Sequence, residues 1–143
     1  MRSLFLLLAG LLVLGTGGCM TVTDPLGHRE ALEDAQKRYT DLIRWRDAER
    51  AAIFVDPELR KDFLEQAEEL ENLEISDYEL GDLEFGDGDE TATIDVTYRG
   101  YSLSHLVERK IRVTQEWHRD EGNTWLVRPD LEDVVAKLRG EPR

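Results

Sequence analysis

Thr91-Ala92-Thr93-Ile94-Asp95-Val96-Thr97-Tyr98-Arg99 is the stretch that decides the fold, because Ala92, Ile94, Val96 and Tyr98 alternate strictly with polar residues. A period of two puts those four on one face of a half-buried strand and leaves the polar set in water. Such a strand belongs in an antiparallel sheet that is covered on one side. Upstream, Leu73 and Ile75 begin an apolar side that slips before Tyr78 and Leu80 resume it, so a bulge is expected near Asp77. Between these two strands, Phe85-Gly86-Asp87-Gly88-Asp89 supplies glycines for positive φ and reads as a hairpin turn. Downstream, Gly100 to His105 turns the chain, and Val107, Ile111, Val113 and Trp117 form the apolar side of a third strand, shared with Arg109 and Gln115. Asp120-Glu121-Gly122-Asn123 then leads into a short fourth strand, Thr124 to Arg128, with Trp125 and Val127 on one face.

Helical spacing precedes the meander. From Gly27 to Val55 there is no Pro, and no Gly after the first residue, while Leu32, Ala35, Tyr39, Leu42 and Ile43 recur every three or four positions. One long amphipathic helix is expected. Its second half broadens, with Trp45, Ala48, Ala52 and Val55 on another side and Ile53 and Phe54 back on the first, so other elements should wrap it. Asp56-Pro57 ends it and starts a second helix reaching Leu70, with Leu59, Phe63, Ala67 and Leu70 inward. Pro129-Asp130 opens a short C-terminal helix, Asp130 as N-cap, Leu131, Val134, Val135 and Leu138 inward, Gly140 as stop. The sum is an α+β fold: a long N-terminal helix and a second helix packed on a curved antiparallel sheet of four strands, then a short helix.

The other end of the chain speaks of location. Arg2, the apolar run Leu4 to Leu14 and the small residues Thr16-Gly17-Gly18 before Cys19 read as a secretory signal, too short to span a bilayer. Cys19 after two glycines resembles the lipobox of bacterial lipoproteins, although Thr16 stands where that family usually has Leu. The resemblance implies removal of residues 1–18 and lipidation of Cys19, the only cysteine, leaving no thiol for a disulfide, metal or nucleophile. Residues 19–26 read as a tether, and 27–143 as a single domain. At about 3.3 Å per residue, the tether keeps that domain within roughly 25 Å of the membrane. Met20 resembles the outer-membrane sorting pattern, which implies the periplasmic face of the outer membrane if the cell has two membranes.

A formal charge of −13 excludes nucleic acid as a partner, because phosphate binding requires a basic patch. From Asp62 to Tyr98 there is no Lys or Arg. Carboxylates in and beside this run, Glu68, Glu71, Asp82, Asp87 and Asp89 among them, make a candidate docking face for an envelope protein with a basic surface. Self-association of this face with the later basic residues is a second expectation. His28, His105 and His118 lack metal-ligand spacing, no nucleophile motif is present, and no metal or cofactor is expected. Weak Ca²⁺ binding by Asp87, Asp89 and Glu90 is the nearest alternative.

Element order, together with the layout Tyr39…Trp45…Phe54-Val55-Asp56-Pro57-Glu58-Leu59, resembles the nuclear transport factor two-like, or cystatin-like, cone superfamily over Arg29 to Arg128. The family's usual extra helix between strands is not evident. The resemblance implies a hollow between sheet and helices, in which some members place an Asp, Tyr or His for proton transfer. Tyr39, Tyr98, Arg109 and Trp117 are the candidate pocket residues, with Tyr101 and Asp77 beside them. With anchoring well signalled and catalytic motifs lacking, the leading expectation is a lipid-anchored, non-enzymatic envelope protein that binds another envelope protein or assists its assembly. The alternative is a pocket protein, an enzyme included, for a small ligand or acyl chain.

Overall fold

The computed structural model describes residues 27–141, so the signal segment, Cys19 and the tether expected at residues 1–26 lie outside the described residues. Helix α1 (His28–Arg44) buries Leu32, Gln36, Tyr39, Thr40 and Ile43, a stripe spaced by three and four residues. It does not continue to Val55. Arg46 adopts φ 61°, the left-handed region that disfavours residues bearing a Cβ. The Arg46 guanidinium bonds the Leu73 carbonyl at 2.9 Å and pairs with Glu74 at 3.2 Å, so the break is tied to the sheet. A short helix α2 (Ala48–Ala51) follows, its N-cap Asp47 accepting from the Arg50 amide at 3.4 Å, then a 3₁₀ turn over Ala52–Phe54. Ala51, Ala52 and Val55 are buried, but Trp45 is 70% exposed and Ile53 62%, against the expectation that they are wrapped.

Helix α3 (Arg60–Ala67) starts three residues after Pro57, because Asp56 caps a turn there by accepting from the Glu58 amide at 3.2 Å. A 3₁₀ turn carries the chain through Asn72, and Phe63, Ala67 and Leu70 point inward as their spacing predicts. Strands β1 (Leu73–Phe85), β2 (Thr91–Ser102), β3 (Arg109–Arg119) and β4 (Trp125–Arg128) form one antiparallel sheet in sequence order. Its register shifts between Ile75 and Asp77, where the slip in apolar pattern lies, and again between Leu80 and Leu83. Strand β3 begins after Val107, which is 57% exposed in the β2–β3 loop and contributes nothing to the apolar side. Helix α4 (Leu131–Arg139) buries Leu131, Val134, Val135 and Leu138 and ends on Gly140 at φ 75°.

Helix α1 spans the sheet from end to end. The Trp125 indole donates to the His28 carbonyl at 3.1 Å and Arg29 lies 4.8 Å from the Phe85 ring centroid, so the chain enters beside the β1–β2 turn. At the other end of α1, Arg44 bonds the Ser76 carbonyl at 2.6 Å near the start of β1. A 17-residue helix separates the two ends by about 25 Å.

Candidate functional site

Three of the four candidate pocket residues meet in the interior. Tyr39 from α1 and Trp117 from β3 pack edge to face with centroids 5.8 Å apart, and Phe63 tilts against Tyr39 at 6.4 Å. The polar atoms of Tyr98 and Trp117 are joined through Gln115. Its amide nitrogen donates to Thr40 Oγ1 at 3.2 Å and to Tyr98 Oη at 3.3 Å, while its oxygen accepts from Trp117 Nε1 and Gln36 Nε2, each at 3.3 Å. Gln36 also donates to Thr40 Oγ1 at 3.0 Å. Tyr39, Tyr98, Gln36, Thr40, Gln115 and Trp117 are all buried, so side chains occupy the place where a hollow was expected.

Arg109 is not among them. As the cross-strand partner of Gly100 it stands at the far end of β3, and a Cβ on Gly140 would come within 2.5 Å of its guanidinium. It covers the C-terminal end of α4 instead. Tyr101 is half-buried, and Asp77 is exposed at the first bulge.

The residue that the sequence signals least is Asp130. It stands at the N-cap of α4 as its spacing predicts, yet its side chain bonds no amide of that helix. Its Oδ1 instead accepts from Tyr39 Oη at 3.4 Å, and its Oδ2 is buried with no hydrogen-bond partner among the described residues. Burial pushes the Asp130 carboxyl up to about 6, only partly offset by its own backbone amide, then by the Tyr39 hydroxyl and the Lys137 ammonium. The Tyr39 and Tyr98 phenols are raised too, by burial first and by the Asp130 charge next. Beside it lies an open depression of about 450 Å³ lined by Pro129, Asp130, Glu132, Asp133 and Ala136.

The acidic candidates are exposed but fall in three places. Asp87 and Asp89 sit on the β1–β2 turn, at the end where the chain enters α1. Asp82 lies at the second bulge, in a polar depression with Thr93, Asp95, Arg112 and Thr114, where Thr114 Oγ1 donates to Asp95 at 2.6 Å. Glu68 and Glu71 stand at the opposite end, lining an open depression of about 670 Å³ with Trp45, Ala48, Leu64 and Ala67. Among the described residues no three His, Cys, Asp or Glu side chains converge on a metal position, Asp87, Asp89 and Glu90 included. His118 is half-buried on the outer sheet face and pairs with Asp56 at 3.4 Å.

No family profile matches the chain, and no curated protein does. A crystal structure of a Xanthomonas campestris protein assigned as a polyketide cyclase is similar in backbone, with a TM-score of 0.51 over 78% of this chain and 98% of that one. The two share a cone-like α+β fold. Sequence identity is 9%, so the likeness concerns fold alone. No helix among the described residues is long and apolar enough to cross a membrane.

Proposed function

We propose that the protein is a lipid-anchored envelope protein that works by binding another envelope protein, without making or breaking bonds. The observation that carries this reading is the filled interior: Tyr39, Tyr98, Gln115 and Trp117 pack where a cone domain would hold a small molecule, which leaves recognition to the surface. The anchor rests on the lipobox-like Cys19 and its preceding signal, and the outer-membrane location on Met20. Several acyl chains hold a protein far more firmly than one, at about 0.8 kcal/mol per buried methylene. In cells fed labelled palmitate, the native chain should carry the label and cross-link to a specific protein neighbour, and Cys19→Ser should lose label and membrane association together. An unlabelled native chain, or membrane fractionation unchanged by the substitution, overturns the anchor. Absence of any specific neighbour overturns the contact role.

A second reading has its own observation. Asp130 is a buried acid with one unpartnered oxygen beside an open depression, and the structural neighbour is assigned as a cyclase, so small-molecule binding or proton transfer at Asp130 is the alternative. Native mass spectrometry decides it: a small molecule that stays with the native chain and is lost from Asp130→Asn supports this alternative, and a bare chain removes it.

A further inference from the structure

We infer that the depression around Trp45 is the docking site for a basic amphipathic helical segment of the partner, an assignment that rests on the contact role proposed above. The first observation is the indole itself, 70% exposed although aromatic side chains of this size are ordinarily covered. The fold holds it outward. Arg46, the next residue, takes the left-handed φ of 61° that a side chain with a Cβ resists, and Arg44 lies 5.1 Å from the Trp45 ring centroid. The Arg46 amide donates to the Ile43 carbonyl at 3.0 Å and the Asp47 amide to the Leu42 carbonyl at 2.9 Å, so the turn that ends α1 is closed by its own backbone and leaves the ring facing solvent.

The second observation is the shape and charge around that ring. Ala48, Leu64 and Ala67 line the depression beside Trp45, and Asp47, Glu49, Glu68 and Glu71 line it with them. Arg46, the basic residue of the lining, is committed to Glu74 and the Leu73 carbonyl, and Asp47 pairs with Arg50 at 3.4 Å. Glu49, Glu68 and Glu71 have no ion-pair partner among the described residues. A lining that mixes apolar side chains with free carboxylates is the complement of a helix with leucine-like residues on one face and Lys or Arg beside them. About 670 Å³ accommodates a few side chains of such a face.

Charge also argues against other occupants. Anionic headgroups are repelled, and an equally acidic second copy meets net repulsion. Position agrees. The depression adjoins the C-terminal end of α1, about 25 Å along that helix from the point where a lipid tether would join.

The test uses the full chain as isolated from cells, held in phosphatidylcholine vesicles, with a tryptophan-free Lys/Leu amphipathic peptide of about eighteen residues, five helical turns. Trp117 and Trp125 are buried, so acrylamide quenching of tryptophan emission reports on Trp45. The peptide should shield that emission saturably, while a Glu/Leu peptide and a Lys/Ser peptide of the same length should not. Combined Glu49→Gln, Glu68→Gln and Glu71→Gln should weaken the effect about tenfold with Trp45 retained, and Leu64→Ser, which alters the lining alone, should weaken it as well. Four results overturn the assignment: no shielding by the Lys/Leu peptide, equal shielding by the Glu/Leu peptide, shielding untouched by both variants, or Trp45 shielded without peptide as protein concentration rises, which would make a second copy the occupant. A cross-linked neighbour in cells together with an inert Trp45 site would retain the contact role and reject this location.

Discussion

The Tyr39 hydroxyl donates to Asp130 across the core, 3.4 Å from oxygen to oxygen and 91 positions apart in sequence, and so ties the middle of α1 to the head of α4. An acid in that position is in conflict with its surroundings. One oxygen has a partner and the other has none, and both lie away from the water that would stabilise a negative charge.

Stability should therefore fall as pH rises across the range in which Asp130 ionises. The folded-state carboxyl titrates near 6, above the ordinary 3.8, so between those values the folded chain holds a proton that the unfolded chain has released. The favourable contribution is complete below the unfolded value and is lost as pH passes through about 6. The rise from 3.8 to about 6 corresponds to about 3 kcal/mol. Asp130→Asn removes the titration while keeping a polar group for Tyr39. Urea unfolding at pH 4.5 and pH 7.5 should show the variant gaining on the native chain by about 2–3 kcal/mol at the higher pH. An unchanged difference would mean that the acid is solvated.

Gln115 presents the opposite case, a buried polar side chain whose bonds are made. Gln115→Leu keeps the approximate volume but strands the Trp117 indole N–H and removes partners from Gln36, Thr40 and Tyr98. At about 1–3 kcal/mol for each group left buried and unpaired, a loss of about 3 kcal/mol is expected, with little pH dependence. Chemical denaturation measures it, and near-ultraviolet circular dichroism of Trp117 should change at the same time.

Much of the scaffold was legible in the residues. Alternation in β2, the slipped apolar side of β1 and the spacing of Phe63, Ala67 and Leu70 each report which atoms leave water, and the structure follows them. Two kinds of feature were not legible. The break at Arg46 has no Gly or Pro to announce it: backbone bonds from Arg46 to Ile43 and from Asp47 to Leu42 close the helix end, and the Arg46 side chain ties it to Leu73 and Glu74, a tertiary contact that no local pattern reveals. Asp130 reads as an N-cap because such residues ordinarily bond helix amides, and only the tertiary position of Tyr39 gives its side chain another partner. Gln36 and Thr40 had a usable signal: they continue the Leu32, Tyr39, Ile43 stripe, and polarity alone concealed them.

At Gly100 the reason for glycine is contact between strands. A Cβ there would sit 2.4 Å from the Glu74 carbonyl oxygen of β1, a backbone atom that cannot move aside without opening the first bulge. Gly100→Ala should destabilise by about 1–3 kcal/mol. Thermal unfolding checks the magnitude. Amide exchange should show faster opening of Leu73 to Asp77, the part of β1 that Gly100 faces, than of β3.

The turn that presents Trp45 makes a prediction about sign. At ordinary positions Gly is less stable than Ala, because its unfolded chain is freer. Arg46 sits at φ 61°, where Ala carries a steric penalty of about 1–2 kcal/mol that Gly escapes. Both substitutions lose the same bonds to Leu73 and Glu74, so those losses cancel when the two variants are compared. Arg46→Gly should therefore be more stable than Arg46→Ala by about 1 kcal/mol. If Ala proves the more stable of the two, the left-handed turn is absent in solution, α1 continues past Trp45, and the outward placement of the indole goes with it.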